Sequence, residues 1–219
     1  MAAITVHPPS SSHSSLADAP GGFDRTWFMG KWGVCWSTLP MWKVCALRAL
    51  PYFSESRSAH RTKKSTSLDV AITYSPVAAQ SKISTTFDDL VEYRKRRHAH
   101  PLISVKGVDT LTVGANGATF DWKGAGYLFF VHSHWEVLGY GKDEENGLEW
   151  GATFFSKTLF TPAGIDIYLR SSPTDPKPTS TDHEIRANLV ERIRAELIKV
   201  EEGGVGKLAA GGFEVPGVV

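Results

Sequence analysis

Residues 127–170 read YLFFVHSHWEVLGYGKDEENGLEWGATFFSKTLFTPAGIDIYLR, and three runs within them alternate apolar with polar side chains: Tyr127–Tyr140, Leu148–Lys157 and Gly164–Arg170. Period-two alternation marks a strand with one face buried, and the Gly, Asp and Asn residues between the runs form turns. Toward the N-terminus the pattern recurs in Thr26–Thr38, Asp69–Ser75, Thr86–Arg94, Ile103–Val108 and Ala118–Trp122. Such a series of strands with short links predicts an antiparallel meander, and closing it into a barrel removes the exposed edges.

Outside the strand region the character changes. Residues 1–22, rich in Ser, Pro, Ala and Gly with no apolar period, are expected to be a disordered tail. After Arg170 a Pro-rich linker runs into Thr181-x-x-Glu184, a capping box at a helix start. Ile185, Leu189, Ile193 and Leu197 then lie four apart and form one apolar stripe, so the predicted helix docks on something. Residues 203–219 read as a flexible tail in which Phe213 and Val215 are able to add a short edge strand. Residues 23–202 thus make one barrel plus helix. Residues 44–64, which carry Arg48, Arg57, His60, Arg61, Lys63 and Lys64 without any period, fit two readings: a mobile lid, or a disordered insertion left by splicing.

The chain of 219 residues is enough for one good-sized core, and 42% hydrophobic with 21% charged residues supports folding. Lys and Arg number 24 against 23 Asp and Glu, which leaves no excess charge to hold phosphates over a long surface and argues against nucleic acid as a partner. No stretch approaches the ~20 apolar residues of a membrane span, and the start lacks a basic and an apolar leader region. Cys35 and Cys45 do not make a disulfide framework, so a reducing, cytoplasmic setting is expected. There is no Gly-x-Gly-x-x-Gly, Cys-x-x-Cys or nucleophile-elbow context, so no cofactor is signalled.

Phe28-Met29-Gly30-Lys31-Trp32-Gly33-Val34, followed by Leu39-Pro40, resembles the first signature of the lipocalins, a Gly-x-Trp that opens the first barrel strand. Trp135–Tyr140, Leu148–Phe155 and Ile165–Pro173 resemble the last three strands of the apolipoprotein D and bacterial lipocalin branch, ending in Arg170. The resemblance implies an all-β fold, an eight-stranded antiparallel calycin barrel with a C-terminal helix packed outside. It also implies that Arg170 lies across Trp32 at the closed end, a structural pair. The Thr-Asp pair of the second signature is missing before Trp150.

A barrel of this size holds packed side chains or one small ligand. Strand phase assigns Trp32, Val34, Trp36 and Thr38 to one inward face. On the same ground Val70, Ile72 and Tyr74, then Phe87, Asp89, Val91 and Tyr93, then Phe120 and Trp122, then Trp150, Ala152 and Phe154 point inward. Trp36, Tyr74, Phe87, Tyr93, Phe120, Trp122, Trp150 and Phe154 are accordingly the predicted ligand-binding rings. Asp89 is either a ligand-facing acid with a raised pKa or a sign that this face is assigned one residue off. His132, His134 and Glu136 share one strand face and are candidates, with Asp89, for general acid and base work. Their spacing partly resembles a cupin motif, but no third metal ligand follows, and the more apolar opposite face places the pair outside the barrel on the plainer reading. Arg94-Lys95-Arg96-Arg97, with His98 and His100, is a solvated turn or an anion-attracting mouth. Two functions are compatible with these residues. One is an intracellular barrel enclosing a hydrophobic or aromatic small molecule; the other is a cofactor-independent cyclase, isomerase or lyase acting in the same cavity.

Overall fold

In the computed structural model, which describes residues 3–43, 67–77, 85–95, 101–172 and 183–217, the strands form one antiparallel sheet closed on itself. They are β1 (Gly30–Ser37), β2 (Ser67–Pro76), β3 (Thr86–Lys95), β4 (Ile103–Leu111), β5 (Thr119–Gly124), β6 (His132–Asp143), β7 (Leu148–Phe155) and β8 (Gly164–Ser171), with a short β9 (Phe213–Glu214). Closure comes from β1, which pairs with β2 along Gly30–Gly33 and with β8 along Gly33–Ser37; β9 adds to its last residues. Short helical segments α1 (Arg25–Phe28) and α2 (Pro40–Lys43) flank β1, and helix α3 (His183–Ile198) packs outside the wall through Leu189, Val190, Ile193 and Leu197. This is the eight-stranded antiparallel barrel with an outer helix that the resemblance implies.

Two apolar clusters hold the fold. One fills the barrel with Phe28, Trp32, Tyr74, Phe87, Phe120 and Trp135, and the other lies between the wall and α3, where Trp36, Trp150, Phe154, Ile165, Ile167 and Leu169 meet the helix. β7 and β8 are therefore buried on both faces, and their more apolar face points outward. The faces read from alternation place Trp36, Trp150, Ala152 and Phe154 inside, and for these residues that is corrected. On β7 and β8 the side chains that face the interior are the polar-looking set Glu149, Thr153, Asp166, Tyr168 and Arg170. On β1 the cause is a bulge: pairing with β8 slips between Val34 and Trp36, so the phase inverts and Ser37, not Trp36, turns inward. A second slip, between Val137 and Gly139, inverts the phase of β6, so that Tyr140 joins Trp135 and Val137 on the barrel cluster while Leu138 faces outward.

Two strand ends also differ from the predicted runs. Asp24 Oδ1 accepts hydrogen bonds from the Thr26 and Trp27 amides at 2.8 and 3.0 Å, which caps a single helical turn α1 (Arg25–Phe28). The first strand consequently starts at Gly30, whose φ of +108° suits glycine. Likewise Gly126–Leu128 is a 3₁₀ turn, so β6 begins at His132 rather than Tyr127.

The segments expected to be loose tails are packed. Along residues 3–22, the His7 amide donates to the Leu138 carbonyl, the Ser10 amide donates to Glu136, the Asn116 amide side chain donates to the Ser11 carbonyl, and the Gly117 amide donates to the Leu16 carbonyl. Leu16 is buried in the barrel cluster. A belt held chiefly by its backbone groups, with Leu16 buried and Ile4 and Val6 packed on the outer cluster, has no periodic signature, which is why composition reads as disorder. At the other terminus α4 (Val205–Ala209) buries Val205 and Ala209 beneath α3, and Phe213 pairs with Ser37. Residues 44–64, read as a lid or an insertion, together with Arg96, Arg97, His98, His100 and Thr181, lie outside the described residues.

The closed end is sealed by Arg170. Its guanidinium lies 3.8 Å from the Trp32 ring centroid, donates to Glu149 at 2.7 Å through Nε, and donates to the Met29 and Trp27 carbonyls at 2.6 Å each. All five donors of an arginine fork cannot be satisfied by one partner, and here a carboxylate, two carbonyls and an aromatic face share the charge.

Candidate functional site

At the opposite end the barrel is open, and a cavity of about 240 Å³ descends between the end of β1 and the starts of β4, β6 and β8. The rings of the lower barrel form its floor: Tyr74 stacks on Trp135 at 5.6 Å between centroids, Phe120 lies 4.8 Å from Trp135, and Phe87 meets Tyr74 edge-on. Its walls are Trp42, Ile72, Tyr93, Trp122, Trp135 and Phe155, with Leu128 and Phe160 at the rim.

The predicted site residues divide into three groups. Tyr74, Tyr93, Trp122 and Asp89 line the cavity. Phe87 and Phe120, both fully buried, lie below it and carry the floor rather than touch its space. Trp36, Trp150 and Phe154 are behind the wall against α3, and Arg194 stacks over Trp36 at 5.6 Å, so these three do not serve a ligand in the barrel.

Asp89 is in the wall, on the face it shares with Phe87, Val91 and Tyr93, and the alternative of a face assigned one residue off does not hold. The strand opposite places Gly107 across from Asp89, and the Trp122 ring occupies the space a Cβ at Gly107 would take. The Trp122 indole therefore reaches Asp89. Burial raises the Asp89 pKa to about 7 despite that hydrogen bond, and its Oδ1 has no partner among the described residues.

Two further buried carboxylates escaped the reading of the sequence. Asp109 accepts a 2.7 Å hydrogen bond from Trp135 Nε1, and burial, reinforced by the charge of Asp89, holds its pKa well above the carboxylate range. Asp166, in the cavity wall, accepts from Ser37 Oγ at 2.5 Å and Trp42 Nε1 at 3.1 Å, and burial pushes its pKa up to about 7. Asp166 lies between Ile165 and Ile167 on a strand whose apolar face goes to the helix. The alternation that hid it is also the signal that finds it once α3 is assigned to that side.

The candidate acid–base set is split. His132 reaches the cavity rim. His134 and Glu136 lie outside the wall: His134 Nδ1 is 2.8 Å from Asp121, its Nε2 is 3.8 Å from Glu136, and Glu136 is covered by the Ser10 amide at 2.6 Å. These two fasten the belt to the barrel and cannot act on a ligand within it. Among the described residues no three His, Cys, Asp or Glu side chains are grouped to hold a metal ion.

Fold and cavity together define a closed meander barrel with one apolar chamber and a buried acid in its wall. No family model matches the chain, and no curated protein sequence matches it. Among solved structures, lobster apocrustacyanin A1 is similar over 97% of this chain and 90% of its own, at 9% identity and a TM-score of 0.47. Apocrustacyanin C2 gives 98% and 91% coverage at the same identity and score. Neither value bears on what this chain binds.

Proposed function

We propose that this chain is a lipocalin-type binding protein, patterned on the apolipoprotein D and bacterial lipocalin branch, that encloses a hydrophobic or aromatic small molecule with Asp89 as the polar anchor. One observation carries this reading: an oxygen of Asp89, a residue only 8% exposed, has no partner among the described residues and borders a chamber otherwise lined mainly by rings and aliphatic groups. A buried polar atom without a partner is costly, and a ligand that supplies one recovers the loss. With a pKa near neutrality, Asp89 accepts a hydrogen bond from a ligand N–H or O–H when ionised and donates one to a carbonyl when protonated. The cavity volume suits a compact ligand of one or two fused rings. An intracellular setting is supported by Cys35, a free thiol among the described residues that burial keeps protonated.

The test begins with native mass spectrometry of the protein taken from its own cells, to find what travels with it. Titrated with that compound, Asp89→Asn should bind about 10- to 100-fold more weakly, the range for losing a hydrogen bond to an ionisable group. Equal affinity of the two proteins would remove Asp89 as the anchor. A second reading, a cofactor-independent cyclase, isomerase or lyase, is favoured by the same Asp89, since a neutral acid in a dry chamber is able to protonate a reactive intermediate. Conversion of precursors by the wild type and not by Asp89→Asn, at saturating ligand, would select it.

A further inference from the structure

Six of the eight exposed large apolar side chains among the described residues surround the mouth of the cavity; only Val113 and Ile198 lie elsewhere. Tyr127, Phe129 and Phe130 are on the turn between β5 and β6, Leu159 and Phe160 on the loop between β7 and β8, and Leu102 precedes β4. Phe129 and Phe130 are packed edge to face at 5.6 Å, so they support each other rather than a core. Leu159 is 97% exposed, and a leucine so placed gains nothing from the fold.

Basic side chains outnumber acidic ones at this end. Lys43 ends α2 with its ammonium 4.3 Å from the Phe213 ring centroid, Lys95 ends β3, Lys123 is the penultimate residue of β5, and Lys157 stands two residues before Leu159; none makes an ion pair among the described residues. The acidic groups nearby are Asp69, which Arg94 binds at 3.1 Å, Glu92 on β3 and Glu214 on β9. The sealed end carries Asp18, Asp24, Glu144 and Glu145 together with Arg25, which pairs with Asp18 at 2.8 Å, Lys31 and Lys142.

From this combination of aromatic rim, exposed leucine and lysine ring we propose that the open end docks on an anionic lipid surface. Aromatic and leucine side chains enter the boundary between headgroups and acyl chains, while lysines remain at the level of the headgroup charges. No helix among the described residues is long and apolar enough to cross a membrane; the contact is made by two loops. The mouth then faces the bilayer, where an apolar compound is most concentrated. Docking needs no assumption about what the cavity holds.

Vesicle flotation with the full chain tests the proposal. Binding is expected to vesicles of equal parts phosphatidylcholine and phosphatidylserine, to weaken as salt rises, and to be several-fold weaker to phosphatidylcholine alone. Phe129→Ser with Phe130→Ser should lower it about tenfold or more, since each ring adds buried apolar area; Lys123→Glu with Lys157→Glu should remove the preference for phosphatidylserine. Val113→Ser, at the other end, is the control, and thermal melts verify that all variants fold. Equal, salt-independent binding to both vesicles would overturn the anionic preference. Absence of binding, or concentration-dependent self-association lost in the phenylalanine variants, would assign the patch to a protein contact and overturn the proposal.

Discussion

Arg170 joins more of the closed end than any other side chain. Replacing it by alanine removes the donors to two carbonyls and the cation over Trp32, and leaves Glu149, 1% exposed, with Lys142 at 3.4 Å and Ser172 as its remaining side-chain partners among the described residues. Breaking one partner of a buried pair costs about 3–5 kcal/mol, of which the retained lysine returns a part. Arg170→Ala is therefore expected to lower the melting temperature by roughly 6–12 °C, given about 2–4 °C per kcal/mol for a chain of this size. Glu149→Gln, which keeps the stacking and the carbonyl bonds, should cost clearly less. A scan in which the two variants melt alike would deny the guanidinium its central place. Asp89 shows how far a single residue is readable. Its face follows from alternation along β3, where no bulge intervenes. Its unpartnered oxygen depends on Trp122 leaning over Gly107, a contact between strands that no local pattern records.

At the scale of elements, the strands and the C-terminal helix were legible because each has a sustained period, and the errors of facing come from what covers the strands. An alternating strand reports which face is apolar, not which face is inside. α3 supplies an apolar environment to β7, β8 and the end of β1 that competes with the barrel interior, so Trp150, Phe154 and Trp36 were drawn to it. The bulges after Val34 and Val137 then invert phase without any proline or glycine run to announce them. The belt over residues 3–22 is the other unreadable element, since its anchors are backbone amides and carbonyls that every residue possesses. It is nonetheless structural: Leu16 is 1% exposed and packs into the barrel cluster. Leu16→Ala is expected to destabilise the fold by about 2–4 kcal/mol, the usual loss for a buried leucine; a urea melt showing less than half a kcal/mol would return the segment to the status of a tail.

For the whole molecule, the interior acids set a dependence on pH. Asp89 and Asp166 titrate at about 7 in the folded chain, against an ordinary value of 3.8, and Asp109 is raised as well. Between those values the native state holds more protons than the unfolded one, so stability falls as pH rises through this window and levels off once the acids are ionised. Asp121 is shifted the other way: the His134 and Thr112 hydrogen bonds outweigh its partial burial, and its contribution disappears only below the carboxylate range. The melting temperature should therefore be higher near pH 5 than near pH 8, and Asp89→Asn should flatten the slope. A rise in stability over the same interval would show that these carboxyls are solvated. The first and last described residues lie at opposite poles of the barrel: Ala3 and Ile4 are beside Asp143 and Arg192, whereas the Pro216 carbonyl bonds the Asp69 amide near the start of β2. A bead or sensor chip coupled through the amino terminus accordingly leaves the entrance facing bulk solution, while a bulky carrier fused to the carboxyl terminus stands in the doorway.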